Sequence, residues 1–126
     1  MENSAQQVKS FDIRQRTLKF SVAVINLVNL LPKTPAGFAI ANQVVRAGTS
    51  IGANVEEAQD ASSRKDFIHT MIISLKEARE TEYWLRVIEQ TDLVSNSKLD
   101  NALQEVSELI KILTAIVKRT KASTLK

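Results

Sequence analysis

Residues 41–58, ANQVVRAGTSIGANVEEA, decide the fold because they carry two helical stripes of opposite character. Small and apolar side chains recur there at gaps of three and four residues, which places them on one narrow seam of an α-helix. The seam consists of Ala41, Val44, Gly48, Ile51, Val55 and Ala58. A second stripe, roughly 140° round the helix at about 100° per residue, consists of Arg46, Ser50, Asn54 and Glu57. The first stripe is a packing face, and the second points away from that contact.

The composition indicates one nearly all-helical domain. A chain of 126 residues matches the usual size of a single domain with its own core. It has three glycines, two prolines and no cysteine, so turns are few and neither a disulfide nor a thiolate metal site can form. No segment has the pattern of a secretory signal or a membrane span, so we expect a soluble, cytoplasmic protein.

Helix-start and helix-stop residues divide the chain into four predicted helices. The first runs from about Ile13 to Leu31, the second continues to about Asp60, and the third ends at about Asp92. The predicted N-caps are Asp12, Thr34, Ser63 and Ser97, with Pro35 opening the second helix and with Asp66 and Asp100 three positions after the two serines. Long helices joined by short connections must lie antiparallel, which predicts an all-α, up-down-up-down four-helix bundle. We assign the bundle to residues 11–121, between a flexible tail, 1–10, and a basic tail, 122–126.

The first and fourth helices have more apolar surface than one packing contact needs. The first has two stripes at helical spacing, one of Leu18, Val22, Ile25 and Val28 and the other of Phe20, Val24, Leu27 and Leu31. The fourth has a seam of Leu99, Leu103, Val106, Ile110, Leu113 and Val117, with Ala102, Leu109 and Ile116 beside it. This width indicates either deep burial in the bundle or a second surface that another copy of the chain covers.

Basic residues are predicted to gather at one end of the bundle, where the first helix starts, the second meets the third, and the fourth ends. These candidates for nucleic-acid binding are Lys9, Arg14, Arg16, Lys19, Arg64, Lys65, Lys118, Arg119 and Lys121. A basic surface of this kind can contact phosphates of RNA or DNA. The alternative is a solvated helix end whose cations complement the helix dipole. The net charge of +3 is too small to decide between the two.

A motif in the second and third helices resembles a known family. Arg46-Ala47-x-x-Ser50-Ile51-x-x-Asn54-Val55-x-Glu57 is followed by Asp66-Phe67-Ile68 and by Ser74-Leu75-x-Glu77. This combination resembles the small bacterial four-helix bundle proteins that are encoded by intervening sequences of 23S ribosomal RNA genes. The resemblance extends from about residue 11 to about residue 120. Ala58 and Ile73 depart from the pattern, which usually has glycine at both positions.

The resemblance implies a left-handed bundle that assembles as a ring-like homopentamer. A related protein, the accessory protein of diversity-generating retroelements, binds nucleic acid and a reverse transcriptase through a basic exterior. By this resemblance the expected partners are other copies of the chain, RNA or DNA, and a protein such as a reverse transcriptase. The family motif also singles out a polar network of Arg46, Ser50, Asn54, Glu57, Ser74 and Glu77.

The polar network is interpreted as structural. Arg46 is expected to pair with a carboxylate such as Glu57 or Glu77, between helices or between subunits. No base stands near Ser50 on its helix, so it is not a candidate nucleophile. One histidine and scattered carboxylates offer no recognisable set of metal ligands, so no metal, cofactor or catalytic residue is predicted.

Two further features leave alternatives open. Arg64 and His69 are spaced as in the ribonuclease signature of the HEPN family, which would make His69 an acid or base and Arg64 a stabiliser of phosphate charge. A lone histidine on a helix is more commonly a surface residue. Tyr83 and Trp84 could stack on bases, although core or subunit contacts fit their position better. The sequence therefore favours a non-enzymatic, self-associating interaction protein that binds nucleic acid at its basic end, with a purely protein-binding adaptor as the alternative.

Overall fold

The computed structural model describes the backbone of residues 2–124 and the side chains of residues 13–123. Over this range the chain forms four α-helices and no strand. They are α1 (Glu2–Val28), α2 (Pro35–Ala58), α3 (Arg64–Thr91) and α4 (Ser97–Thr124). The predicted all-α class with four helices is confirmed.

The starts of α2 and α3 are fixed by the predicted caps. The side chain of Thr34 accepts a hydrogen bond of 3.1 Å from the Gly37 N–H, and Pro35 is the first residue of α2. The side chain of Ser63 accepts one of 3.1 Å from the Asp66 N–H. Each cap satisfies a backbone donor that the first turn of a helix leaves unpaired.

The first helix begins earlier than predicted. α1 starts at Glu2, so Asp12 lies inside the helix and is not its cap. Residues 2–10, predicted to be a tail, are helical, and their flexibility stays a prediction. At the other end of the chain α4 continues to Thr124, so the first three residues of the predicted basic tail are also helical.

The cap of α4 lies one residue before the predicted one. The Asn96 side chain accepts a hydrogen bond of 2.8 Å from the Lys98 N–H, and its carbonyl accepts one of 3.0 Å from the Leu99 N–H. Ser97 is already the first helical residue. The prediction of Ser97 as the cap is therefore wrong by one position.

The helices pack as an antiparallel up-down-up-down bundle. Each contacts its neighbours in the chain, and α1 also contacts α4, where the contact is the least extensive. Tertiary contacts join Arg14 of α1 to Glu56 of α2, and position 24 of α1 to position 48 of α2. Residue numbers that rise along α1 while they fall along α2 show that the two helices run in opposite directions.

The predicted seam of α2 lies in the core. All of its residues are buried except Ala41, which is half-buried. Two glycines of α2 bring α1 close, since a Cβ on Gly48 would lie 2.9 Å from a methyl group of Val24 and a Cβ on Gly52 would lie 3.2 Å from Thr17. The Ala58 and Ile73 departures from the family pattern leave the helices around them intact.

The two stripes of α1 have different environments. One is buried and consists of Phe20, Val24, Leu27 and Leu31. On the other, Leu18 is 66% exposed, Val22 53% and Ile25 45%, while Val28 is half-buried. The surplus predicted for the fourth helix is used within the chain, because Leu103, Ile110 and Ile116 pack against the core. Of the two predicted surpluses, the one on α1 is therefore the one that stays exposed.

Candidate functional sites

Arg46 joins α2 to α3 through two carboxylates. Its guanidinium lies 3.4 Å from a carboxylate oxygen of Glu77 and also pairs with Glu80, while Gln43 accepts a third hydrogen bond at 3.2 Å. The Arg46 side chain is half exposed, so water screens these pairs. The prediction that Arg46 pairs with Glu77 is confirmed, and Glu57 is not its partner.

Sequence reasoning missed Glu80, which connects Arg46 to an aromatic pair. The Glu80 carboxylate also accepts a hydrogen bond of 3.1 Å from the Trp84 indole N–H. Tyr83 meets Trp84 edge to face, with ring centroids 5.1 Å apart. Glu80 stands three positions after Glu77, a spacing that puts both carboxylates on one face of α3 and could have identified it. Trp84 packs against the core and Tyr83 is 60% exposed, so the pair does not form one open stacking surface.

None of the described hydrogen bonds joins the remaining members of the predicted polar network to the Arg46 side chain. The buried Ser74 hydroxyl donates a hydrogen bond of 2.8 Å to the Ile51 carbonyl across the α2–α3 contact. Ser50 and Asn54 each donate to a carbonyl four residues earlier in α2, at 2.5 and 2.8 Å. Two separate connections therefore join α2 to α3, one through Arg46 and one through Ser74, while Ser50 and Asn54 bond within α2.

The basic end is assembled at the junction of α3 and α4. The Arg64 guanidinium donates a hydrogen bond of 3.1 Å to the Ser123 hydroxyl, which holds the first residue of α3 beside the last turns of α4. The cations at this end are all exposed, namely Arg64, Lys65, Lys118, Arg119 and Lys121. The side chain of Lys9 lies outside the described residues.

Arg14 and Arg16 are paired with carboxylates and are not free to bind phosphate. Arg14 makes a two-pronged contact with Glu56, with its shortest hydrogen bond at 2.8 Å. That hydrogen bond, together with the opposite charge, lowers the pKa of Glu56 and raises the pKa of Arg14. Arg16 contacts both oxygens of Glu105 at 2.6 and 3.0 Å.

Arg16 and Lys19 lie away from the basic end. Their neighbours on α4 are Glu105 and Lys98, in the first half of that helix. The thirteen-residue step from Glu105 to Lys118 corresponds to about 20 Å along a helix. The structure therefore divides the predicted basic cluster, because α1 starts eleven residues before the predicted start and residues 16–19 fall in its middle.

A cleft of about 370 Å³ opens between α1 and α4. It is lined by Lys19, Phe20, Ala23 and Asn26 of α1 and by Lys98, Asn101, Ala102 and Glu105 of α4. Its polar side chains combine two ammonium groups, two carboxamides and the carboxylate of Glu105, while Phe20 and Ala102 are buried and form its floor. No feature of the sequence had pointed to these residues as a group.

Comparison with known proteins decides the family. A family model described as 23S rRNA-intervening sequence protein matches residues 9–115, from α1 into the last part of α4. The chain belongs to the 23S rRNA-intervening sequence protein family. The resemblance of the Arg46 to Glu77 motif is therefore confirmed. No curated protein has significant similarity to the chain.

A solved structure with the same fold comes from the S23 ribosomal protein family. It is a protein of unknown function from Bacteroides thetaiotaomicron, 38% identical in sequence, with a TM-score of 0.81. The match covers 87% of this chain and 98% of that one. The two proteins therefore share the fold, and the neighbour's description carries no activity.

The remaining chemical features of this family member concern the ribonuclease-like pair, metal ligands and membrane-spanning helices. Arg64 and His69 are both exposed on α3, and five residues correspond to about 140° round a helix, so their side chains diverge. Within residues 13–123, no three His, Asp or Glu side chains converge on a possible metal site. None of the described helices combines the length and the apolar character that a bilayer-spanning segment requires.

Proposed function

We propose that the chain is a non-enzymatic scaffold that self-associates through α1 and binds RNA or DNA at its basic end. The observation that carries the proposal is the exposed stripe of Leu18, Val22 and Ile25, whose side chains are 66, 53 and 45% exposed. Apolar surface of this extent on the outward face of a helix is typical of a protein interface. The expected assembly is the left-handed bundle in a ring of five that the family resemblance implies.

The spacing of the stripe favours a helical partner. Gaps of four and three residues between Leu18, Val22 and Ile25 match the seam of a coiled coil, in which side chains of one helix enter spaces between those of the other. A ring also needs a second surface, because each subunit uses one face toward each neighbour. Tyr83 is 60% exposed on α3, which packs against α2 and α4 and lies diagonally across the bundle from α1. This opposite position suits a contact that continues around a ring.

The mass of the assembly tests self-association. We expect light scattering at micromolar concentration to give about five times the chain mass of 14.0 kDa. The double variant Leu18→Glu/Val22→Glu should shift the mass to that of a single chain while the helical circular dichroism stays unchanged. Gln104→Glu, at an exposed position of α4, adds a carboxylate outside the stripe and should leave the mass unchanged. A monomeric wild type would refute self-association. A dimeric wild type would refute the ring of five and indicate a two-fold pair instead.

Nucleic-acid binding is proposed for the basic end formed by Arg64, Lys65, Lys118, Arg119 and Lys121. All five side chains are exposed, and the Arg64–Ser123 hydrogen bond holds the two helix ends together. Binding of duplex DNA should weaken as salt rises, with a slope of log K against log salt of about −0.9 for each phosphate contacted. Replacing Lys118, Arg119 and Lys121 by Gln should reduce the magnitude of that slope by up to about 2.7.

A charge-matched control separates the basic end from net charge. Replacing Lys33, Lys76 and Arg79 by Gln removes the same three charges from exposed positions elsewhere and should leave the slope unchanged. Absence of binding to RNA and DNA at low salt would remove this part of the proposal and favour a protein-binding adaptor. RNA cleavage by the wild type that disappears in His69→Ala would contradict a non-enzymatic role.

A further inference from the structure

The cleft between α1 and α4 has a chemical lining that the proposed scaffold role does not use. Lys19 and Lys98 contribute positive charge from opposite walls, and Asn26 and Asn101 contribute a carboxamide from each wall. Its volume, about 370 Å³, is within the range of pockets that hold small organic ligands. Both walls are helices, so the polar groups are presented by a rigid frame.

The cleft exists because small side chains lie at positions where larger ones would fill the space between α1 and α4. Ala23 and Ala102 face it from α1 and α4, and α1 contacts α4 less extensively than it contacts α2. Phe20 is 1% exposed and forms an apolar floor together with Ala102, which is 2% exposed. The space is therefore built into the packing of the two helices.

The electrostatic balance of the cleft favours an anion. Glu105 is the carboxylate of the lining, and Arg16 already holds both of its oxygens at 2.6 and 3.0 Å. The charges of Lys19 and Lys98 are thus not offset by the lining. Lys98 is also in the first turn of α4, where the helix dipole adds to the attraction of a negative group.

The carboxamides restrict which anion fits. An Asn side chain offers a donor and an acceptor side by side, the arrangement that pairs with the edge of a nucleobase. A ligand that combines an anionic group with a donor–acceptor edge uses both the ammonium groups and the carboxamides of the lining.

We infer that this cleft binds a nucleoside carrying a terminal phosphate, with the phosphate at Lys19 and Lys98 and the base edge at Asn26 and Asn101. Such a group can come from a free mononucleotide or from the phosphorylated end of a strand. The cleft shares no cation with the basic end formed by Arg64, Lys65, Lys118, Arg119 and Lys121. The inference is therefore independent of the nucleic-acid binding proposed for that end.

Calorimetric titration of the full chain with AMP, GMP, CMP and UMP tests the cleft. We expect saturable binding of at least one nucleotide, weakened about tenfold in Lys98→Gln, because that variant loses a charge-assisted hydrogen bond to the phosphate. Ala23→Leu, at an exposed position, should fill the cleft and abolish binding without loss of fold. Asn101→Ala should weaken nucleotide binding and leave the weaker binding of inorganic phosphate unchanged.

Matched variants outside the cleft serve as controls. Lys76→Gln and Ala53→Leu make the same chemical changes at exposed positions of α3 and α2, and both should bind nucleotide as the wild type does. Comparing a mononucleotide with a 5′-phosphorylated RNA tetramer shows which source of the group is preferred. Absence of binding at 5 mM nucleotide, equal binding of phosphate and nucleotide, or an equal loss in Lys76→Gln would overturn the inference.

Discussion

The hydroxyl of Ser74 donates a hydrogen bond of 2.8 Å to the main-chain carbonyl of Ile51, and the Ser74 side chain is fully buried. The bond crosses from α3 to α2 in the part of the core where the apolar seam of α2 lies. Ile51 is itself 0% exposed, so neither partner can exchange the bond for water. The family motif contains this serine, and the structure gives it a role in packing rather than in chemistry.

Replacing Ser74 by Ala should lower the free energy of unfolding by about 1 kcal/mol, the usual net contribution of a buried neutral hydrogen bond. The loss is limited because the Ile51 carbonyl keeps the intrahelical acceptor role that α2 gives it. Urea denaturation measures the change. Ser50→Ala removes a hydroxyl that bonds only within its own helix, at 2.5 Å to the Arg46 carbonyl, and should change stability by a few tenths of a kcal/mol at most. Equal losses of stability for the two serine variants would show that the hydrogen bond between helices contributes no more than the bond within α2.

Replacing Gly48 by Ala should destabilise the bundle even though Ala is the better helix former. The new methyl group would lie 2.9 and 3.0 Å from the two methyls of Val24, whose side chain is fully buried and stiff. Overpacking of this kind costs about 1–3 kcal/mol, against a gain of about 1 kcal/mol in helix propensity. We therefore expect a net loss of about 1 kcal/mol in thermal or urea unfolding.

A double-mutant cycle identifies the cause of that loss. In a Val24→Ala background the crowding methyls are gone, so Gly48→Ala should become neutral or stabilising through its helix propensity. A stability change of Gly48→Ala that differs in sign between the two backgrounds would identify the contact between α1 and α2 as the cause. If Gly48→Ala destabilises both backgrounds equally, the cost does not come from Val24.

The sequence predicted the helices well wherever a local signal marks their ends. Thr34, Pro35 and Ser63 fix starts that depend only on neighbouring backbone groups, so their chemistry can be read without the fold. The start of α1 was missed because residues 2–10 carry no apolar periodicity, although Glu, Ala, Gln and Lys are good helix formers. A helix defined by propensity alone has no pattern to detect.

Tertiary relationships were predicted less completely. Both stripes of α1 have helical spacing, so spacing alone does not show which one enters the core; the buried stripe is the one in which Val24 packs against Gly48. The partnership of Arg46 with Glu80 depends on the register between α2 and α3, which spacing within one helix does not define. The α1–α4 cleft depends on two alanines that face each other across 79 positions of chain, from Ala23 to Ala102.

The start of α4 offers a direct test of the corrected cap. Asn96→Ala removes the side-chain acceptor that bonds the Lys98 N–H at 2.8 Å and should cost about 1 kcal/mol. Ser97→Ala removes a hydroxyl from the first helical position and should be close to neutral. Chemical denaturation of the two neighbouring variants gives the comparison. A larger loss of stability for Ser97→Ala than for Asn96→Ala would show that Ser97 is the N-cap, as the sequence predicted.

The ion pair of Arg14 and Glu56 should make stability depend on pH in the acidic range. The hydrogen bond from Arg14 lowers the pKa of Glu56 below its ordinary value of 4.5, so the folded chain holds this carboxylate charged where the unfolded chain begins to protonate it. The contribution is present above the ordinary pKa of a glutamate and is lost as pH falls through the lowered pKa of the folded state. Stability falls with falling pH because the unfolded chain, in which the pKa of Glu56 is higher, binds the proton before the folded chain does.

Arg14→Gln should return the pKa of Glu56 toward 4.5, as measured by a carbon-13 titration of its side-chain carboxyl. The difference in unfolding free energy between wild type and Arg14→Gln should shrink as the pH falls below 4.5 and through the lowered pKa of the folded wild type, because Glu56 then becomes neutral in both chains. Arg119→Gln, which removes an exposed cation from α4, serves as the control and should leave the Glu56 titration unchanged. Both side chains of the pair are about half exposed, so 1 M salt should reduce the shift. A Glu56 pKa that stays lowered in Arg14→Gln would mean that another group holds the carboxylate charged.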